Sequence, residues 1–349
     1  MARRANQFEL SSPPTDAISA VAFAPGSSTR LLVASWDRNV YLYDTHSEPG
    51  GTLIRKYEHR APVLDVCFGA DDNEAFTAGL DWDVNAINLE NGNLGPVSTH
   101  TAGVKSVVYS PQHRILISAS WDSTLHVHVP GTTSHTPLTI PLPSKPFSLS
   151  ISPSKLVVAM ASRTYHIYDL SALALHATSQ PGETLELAPW QARESSLKFM
   201  TRSVACMPND AGYACASIEG RVGVEWFDPS EESQSRKYAF KCHRQAIDGV
   251  DTVYPVNALA FHPVHGTFAS GGGDGMVALW DGVQKRRIRQ YQRFPASVAA
   301  LGFSGDGKYL AVAVCQGFED GREDEVGEGV VKVFVRELGE NEAKGKAAK

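Results

Sequence analysis

Residues 21–44 read VAFAPGSSTRLLVASWDRNVYLYD. A short alternating apolar strand ending at a proline, then two more strands around an acid at Asp37, is a unit that can repeat, and it does. VAFAP at 21–25 returns as VCFGA at 66–70, VVYSP at 107–111, LSISP at 149–153, VACMP at 204–208, LAFHP at 259–263 and LGFSG at 301–305. Val21, Val66, Val107, Leu149, Val204, Leu259 and Leu301 fall in one column. Phe23, Phe68, Tyr109, Ile151, Cys206, Phe261 and Phe303 fall two residues on. The second half of the unit returns too. ASWDRNVYLYD (34–44), AGLDWDVNAIN (78–88), ASWDSTLHVHV (119–129), ASIEGRVGVEWFD (216–228) and GGGDGMVALWD (271–281) each place an acid at a hairpin. Those acids, Asp37, Asp81, Asp122, Glu219 and Asp274, are spaced by 44, 41, 97 and 55 residues. The gap of 97 holds a fourth repeat, LVVAMASRTYHIYDL (156–170), whose hairpin is shortened and lacks the acid.

Strand–acid-turn–strand units of about 40–45 residues are WD repeats, each building one four-stranded blade. One blade cannot bury both its faces, whereas seven in a ring bury one another. The sequence therefore predicts an all-β fold, a single seven-bladed WD40 β-propeller over 6–336, closed by the N-terminal strand within NQFEL (6–10). The acidic stretch 317–329 reads as a blade-seven loop. Residues 337–349 read as a polar tail expected to be disordered.

Composition narrows the function. The net charge is −6, which argues against a general nucleic-acid binder. No apolar run is long enough to span a membrane, and MARRANQFELSSPP lacks a signal-peptide core. Cys67, Cys206, Cys215, Cys242 and Cys315 lack paired or ligand spacing and read as free thiols in the cytosol or nucleus. No hydrolase elbow, phosphate loop, zincin or C-x-x-C motif occurs. GGGDG (271–275) is a hairpin turn with no helix after it, Cys242-His243 has no second ligand pair, and His59 and His100 read as structural hydrogen-bonders. KRRIR (285–289) reads as a solvated strand edge in the connection from blade six to blade seven, with a nuclear import signal as the competing reading. No enzyme, cofactor or metal is expected.

One rim carries the informative residues. The start of each first strand, the hairpin after the second and the end of the fourth share that rim. There Trp36 and Trp121 immediately precede hairpin acids, and Trp82 follows one. Core aromatics would sit in the strand columns, so these three read as binding anchors. Blade five adds Arg202, Arg221, Lys241 and Arg244 from converging elements. That cluster suits a phosphate or glutamates on a peptide.

NQFELSSPPTDAISAVAFAP (6–25), RESSLKFMTR (193–202), SIEGRVGVEWFDP (217–229), KYAFKCHR (237–244) and YPVNALAFHPVHGTFASGGGDG (254–275) resemble the spindle-checkpoint propeller of the "budding uninhibited by benzimidazoles" family. The likeness runs from about residue 6 to 335. The mRNA-export propeller that binds a nucleoporin shares SIEGRV, FKCHR and FHPVHGT. The resemblance implies a nuclear adaptor that moves to kinetochores in mitosis. It implies two ligands, with no direct nucleic acid or membrane contact and a monomeric propeller within hetero-complexes. The first is the GLEBS segment of a checkpoint kinase and its pseudokinase relative, on Arg202 and Arg244 with Trp36, Trp82 and Trp121 lining the face. The second is a phosphorylated Met-Glu-Leu-Thr repeat of the kinetochore scaffold, its phosphothreonine on Arg221 and Lys241. The alternative is mRNA export through a nucleoporin GLEBS segment. The chain departs from its relatives in the fourth repeat, the acidic loop, Gly223 and Trp226.

Overall fold

The computed structural model describes residues 6–46, 50–131, 136–317 and 330–345. Seven four-stranded antiparallel sheets form in chain order. Each first strand packs against the first strand of both neighbouring sheets, blade one against blade seven included, so the ring is closed. The last blade takes its outer strand from the other end of the chain: Gln7–Glu9 pairs with Lys332–Glu337, Phe8 opposite Val335. Lys332 Nζ reaches Glu9 Oε2 at 2.9 Å across this seam.

Burial explains why the blades need one another. The second strands are apolar on both faces and are covered on both. Arg30–Ser35, Ile115–Ser120 and Gly212–Ser217 are buried along nearly their whole length. A strand covered on both faces needs a continuous apolar run, not an alternating one, and these have it. The first strands carry a further device. Each has a β-bulge two residues ahead of the apolar column, at Ser19, Leu64, Lys105, Phe147, Arg202, Asn257 and Ala299. A bulge leaves one residue out of the ladder and re-aims it. Seven at one repeat position make a ring of re-aimed side chains around the axis.

Two connections hold elements that the sequence analysis did not anticipate, and the C-terminal segment differs from its expectation. In blade four, Leu170–Ser179 is a helix N-capped by Asp169, whose carboxylate accepts from Ser171 N. Between blades five and six, Arg244–Ile247 and Val250–Val253 form a separate hairpin around Asp248-Gly249, both at positive φ. The segment expected as a disordered tail is docked as far as Gly345. Leu338 and Ala343 are buried against the core of blades six and seven. Glu342 accepts from Tyr291 Oη and Arg336 Nε, both at 2.8 Å, and Thr267 Oγ1 donates to the Ala343 carbonyl at 2.6 Å. Its polar appearance misled because Glu342 meets a buried tyrosine and an arginine instead of water. The KRRIR run is the outer strand of blade six itself, Arg286–Gln290, with its edge exposed. Nearly all of the acidic stretch 317–329 lies outside the described residues.

Candidate functional site

The hairpin acids are the scaffold of the rim. Asp37 accepts from Thr15 N, Asn39 N and Tyr41 Oη, the last at 2.6 Å. Burial opposes its ionisation, but the hydrogen bonds from Tyr41, Thr15 and Asn39 outweigh it and hold the carboxyl below its ordinary value. Asp122 is held lower still by the same balance, with His100 its foremost partner. His100 donates from Nδ1 to Asp122 at 3.1 Å and accepts at Nε2 from Ser118 at 2.9 Å. In blade six the relay has four members. Trp280 Nε1 donates to Ser270 Oγ (2.8 Å), which meets His243 Nε2 (2.8 Å), and His243 Nδ1 meets Asp274 (2.8 Å).

Ser–His–Asp in this geometry resembles a hydrolytic triad, yet Ser118 and Ser270 are fully buried. A nucleophile that no substrate can reach does no chemistry, so these relays hold the hairpins to the strands. Blade two has a broken version: His59 bonds Thr77 Oγ1 (2.9 Å) and the Tyr57 carbonyl (3.0 Å), not Asp81. Among the described residues no group of three His, Cys, Asp or Glu side chains could hold a metal. The cysteines are free, and burial pushes the Cys206, Cys215 and Cys242 thiols up to about 12, which leaves them unreactive.

The rim tryptophans divide. Trp36 and Trp82 are 41% and 50% exposed, Trp82 at φ 73° just past its acid. Trp121 is half-buried over Gly103, where a Cβ would stand 3.0 Å from its ring and 3.1 Å from Leu80. Two aromatics thus stand free on blades one and two, while the third has settled onto the junction of blades two and three.

The blade-five cations also divide. Arg221 and Lys241 are registered partners on adjacent strands. Like charges in that relation are unfavourable by roughly 0.2–1 kcal/mol, so the pair is a concentrated positive site needing a counter-charge. Glu219 Oε2 supplies part of it, 3.5 Å from Arg221 Nε. Lys241 has no ion pair among the described residues. Arg244 starts the extra hairpin, bonding the Glu219 carbonyl (2.9 Å) and Asp251 (3.1 Å), and its Nε is buried without a partner. Arg202 stands apart: it is a bulge residue, donates to Asn257 Oδ1 of blade six at 3.1 Å, and repels Lys105 of the same ring. Burial and that repulsion lower the Lys105 ammonium against the pull of Asp65.

Sequence reasoning places Ile218 on this rim, immediately before the hairpin acid Glu219, but missed its apolar neighbours. Phe199, Met200 and Val253 are exposed with it, and Ile218 N donates to the Met200 carbonyl. The signal was the apolar pair in KFMTR just ahead of Arg202. Of the motifs that carried the family resemblance, RESSLK is structural: Arg193 and Glu225 pair in the blade four–five interface, and Tyr213 Oη donates to Glu225 at 2.9 Å. Trp226 is buried against Tyr238.

Among the clefts on the ring's flank, two lie at equivalent places. One, about 400 Å³, lies between blades five and six beside Lys241, Arg244 and Arg287. The other, about 600 Å³, lies between blades one and two beside Glu58, Asp81 and Asp83, with Arg38 and Arg60.

Comparison with known proteins agrees with this fold. The family model for the WD domain, G-beta repeat, matches residues 6–44, 93–128 and 236–281. The mitotic checkpoint protein BUB3.1 of Arabidopsis thaliana is 43% identical, covering 97% of this chain and 94% of that protein. The chain belongs to the BUB3 family. The mitotic checkpoint protein bub3 of Dictyostelium discoideum is 39% identical over 91% of each chain. Protein Rae1 of Drosophila melanogaster, a member of the neighbouring branch, is 31% identical over 92% of this chain and 90% of its own length.

Proposed function

We propose that this propeller is a non-catalytic adaptor of the mitotic spindle checkpoint that brings checkpoint kinases to kinetochores by reading a phosphorylated scaffold. Family membership carries the checkpoint role. The opposed Arg221 and Lys241 side chains carry the phosphate reading. A phosphothreonine brings roughly −1.5 to −2 charges and three acceptor oxygens, which a guanidinium and an ammonium side by side can engage together. A neutral threonine would leave the pair uncompensated. The scaffold segment is a phosphorylated Met-Glu-Leu-Thr repeat.

The kinase and its pseudokinase relative attach through GLEBS segments, whose glutamates meet Arg202 and Arg244. The two cations stand in different elements, so the segment crosses the face from the axis to the extra hairpin. Trp36 and Trp82 supply exposed apolar contact, and Trp121 a flat, half-buried one. The protein works as a monomer within such complexes, in the nucleus and at mitotic kinetochores. Higher identity to the checkpoint members than to Rae1 supports this over mRNA export through a nucleoporin GLEBS segment.

The test is a titration of the full chain with phosphorylated and unphosphorylated Met-Glu-Leu-Thr peptides. Binding of the phosphorylated form alone is expected, and equal affinity for the two overturns the reading. Purification from mitotic and interphase cells is expected to recover checkpoint kinases. Recovery of nucleoporins alone would favour the export role.

A further inference from the structure

A further groove on the flank, about 590 Å³, runs between blades six and seven. A β-bulge in the basic run starts it. Arg287 is registered opposite Trp280 and Arg289 opposite Leu279, while Ile288 is left out of the ladder and packs into the core of blades six and seven. Leu279 and Trp280 are successive residues, and successive residues on a strand point to opposite faces. Their partners do the same, so Arg287 lines the cleft toward blade five and Arg289 the groove toward blade seven. Two more arginines join Arg289. Arg336 comes from the third strand of blade seven, and Arg293 from the connection out of blade six, its Cγ 3.4 Å from where a Cβ would stand on Gly275. Gln7, Gln290 and Gln292 complete the polar lining, which holds no carboxylate.

One carboxylate reaches the end of this groove from the docked C-terminal segment. Glu342 accepts from Arg336 Nε and Tyr291 Oη at 2.8 Å each and stands 3.6 Å from Arg289 Nη1. The chain itself thus shows what this surface takes, an acidic side chain shared between guanidinium groups. One glutamate against three arginines leaves the groove positive. Arg289 is 48% exposed, and Arg293 is exposed with no ion pair among the described residues. We propose that the groove between blades six and seven docks an extended acidic segment of a partner protein. Its carboxylates pair with Arg289 and Arg293, and its aliphatic carbons lie on Phe334 and Pro295. Charge complementarity selects such a segment. Nucleic acid fits less well: Tyr291 and Phe294 are buried and Phe334 is half-buried against Phe294, so no exposed ring offers a base a stacking platform. The net charge of −6 points the same way. The groove shares no residue with the blade-five cations, and the inference does not depend on what those bind.

The experiment is fluorescence anisotropy on the full chain at low salt. The probes are a short labelled peptide alternating glutamate with serine, its glutamine and lysine counterparts, and an oligouridylate. The glutamate peptide is expected to bind about tenfold or more tighter than the glutamine form, the gain of charge-assisted bonds. Arg293→Glu should remove that gain, and the variant should bind the lysine peptide better than the wild type does, which a merely structural arginine could not produce. Glu342→Gln keeps an acceptor for Tyr291 and releases Arg289 and Arg336, so it should tighten the glutamate peptide severalfold. If that variant instead melts lower and frees the segment, Arg293→Glu, which breaks no ion pair of the described residues, decides alone. Arg221→Ala with Lys241→Ala should leave the glutamate peptide bound, and Arg293→Glu should leave phosphopeptide affinity unchanged, so the two sites are read separately. Equal binding of the glutamate and glutamine peptides overturns the proposal, as does an Arg293→Glu variant that binds like the wild type. Loss of the glutamate peptide in the blade-five double variant would place it on the phosphate site instead and also overturn it. So would an oligouridylate that binds more tightly than the peptide and is released by Arg293→Glu.

Discussion

The two flank clefts occupy one position in the repeat and have opposite character. In blade five the registered pair after the hairpin acid is Arg221 opposite Lys241. In blade one it is Asn39 opposite Glu58. The cleft next to the first pair carries Arg287 and Met276, and its counterpart carries Asp81 and Asp83. Beneath the first lies the complete Trp280–Ser270–His243–Asp274 relay. Beneath the second, His59 never reaches Asp81, and Asp83 is instead held by the Arg60 guanidinium and by Thr99 Oγ1 at 2.6 Å. The backbone thus supplies similar places at these two junctions, and two or three side chains decide the sign of each. Function here is a local departure within a shared frame.

The comparison breaks most readily at the cations. Arg221→Ala with Lys241→Ala should abolish phosphopeptide binding, more than about 100-fold by calorimetry, because each charged hydrogen bond contributes roughly 1.5–3 kcal/mol. The melting temperature should hold or rise slightly, since the two like charges repel. A large fall would mean that the pair is structural.

The relays sharpen the contrast in stability. Asp274→Ala strips the partner of His243 and the acceptor for Met276 N, and should cost about 3 kcal/mol in chemical denaturation. Asp81→Ala loses one 3.3 Å bond from Asp83 N and should cost about 1 kcal/mol. Equal costs would show that the broken relay is as strong as the complete one.

Smaller effects test the acidic cleft. Arg60→Ala should change stability by less than about 1 kcal/mol, since that side chain is largely exposed, and should leave phosphopeptide affinity unchanged. For Asp81, burial pushes the carboxyl above its ordinary value and the Asp83 charge adds to it, against the bond from Asp83 N. A carboxyl raised on folding favours the native state below its unfolded value near 4, and loses that contribution as pH rises through the folded value. Asp81→Asn should therefore melt slightly above the wild type at pH 7, with the difference vanishing near pH 3. A variant less stable at pH 7 would contradict the assigned direction.

Most of the ring was legible because it repeats. The apolar columns and hairpin acids are local patterns, and all seven first strands formed where the columns placed them. The bulge ring was not legible. Ser19, Leu64, Lys105, Phe147, Arg202, Asn257 and Ala299 share a backbone irregularity and no side-chain property, so no column reveals them. Arg202 therefore read as one of four clustered cations, when the bulge turns it toward blade six. The extra hairpin had a local signal in Asp248-Gly249, the dipeptide suited to a tight turn with positive φ. The docked segment at 338–345 had none, since its partners Tyr291 and Thr267 lie about 50 and 76 residues away. Of the candidate site, the sequence offered the side-chain types and the rim they share. Which cations stand together, and that Trp121 is half-covered, depended on tertiary packing.

The seam in blade seven has a consequence for how the molecule is made. Glu9 and Lys332 meet across 323 residues of chain. A ribosome adding roughly 5–20 residues per second needs some tens of seconds between them. During that interval the opening strand has no ladder partner and the first blade has one face uncovered. The nascent protein is therefore exposed to chaperones, and to mispairing with another chain's open edge, until Lys332–Glu337 has emerged. A slow stretch of translation anywhere between the two strands would prolong that exposure.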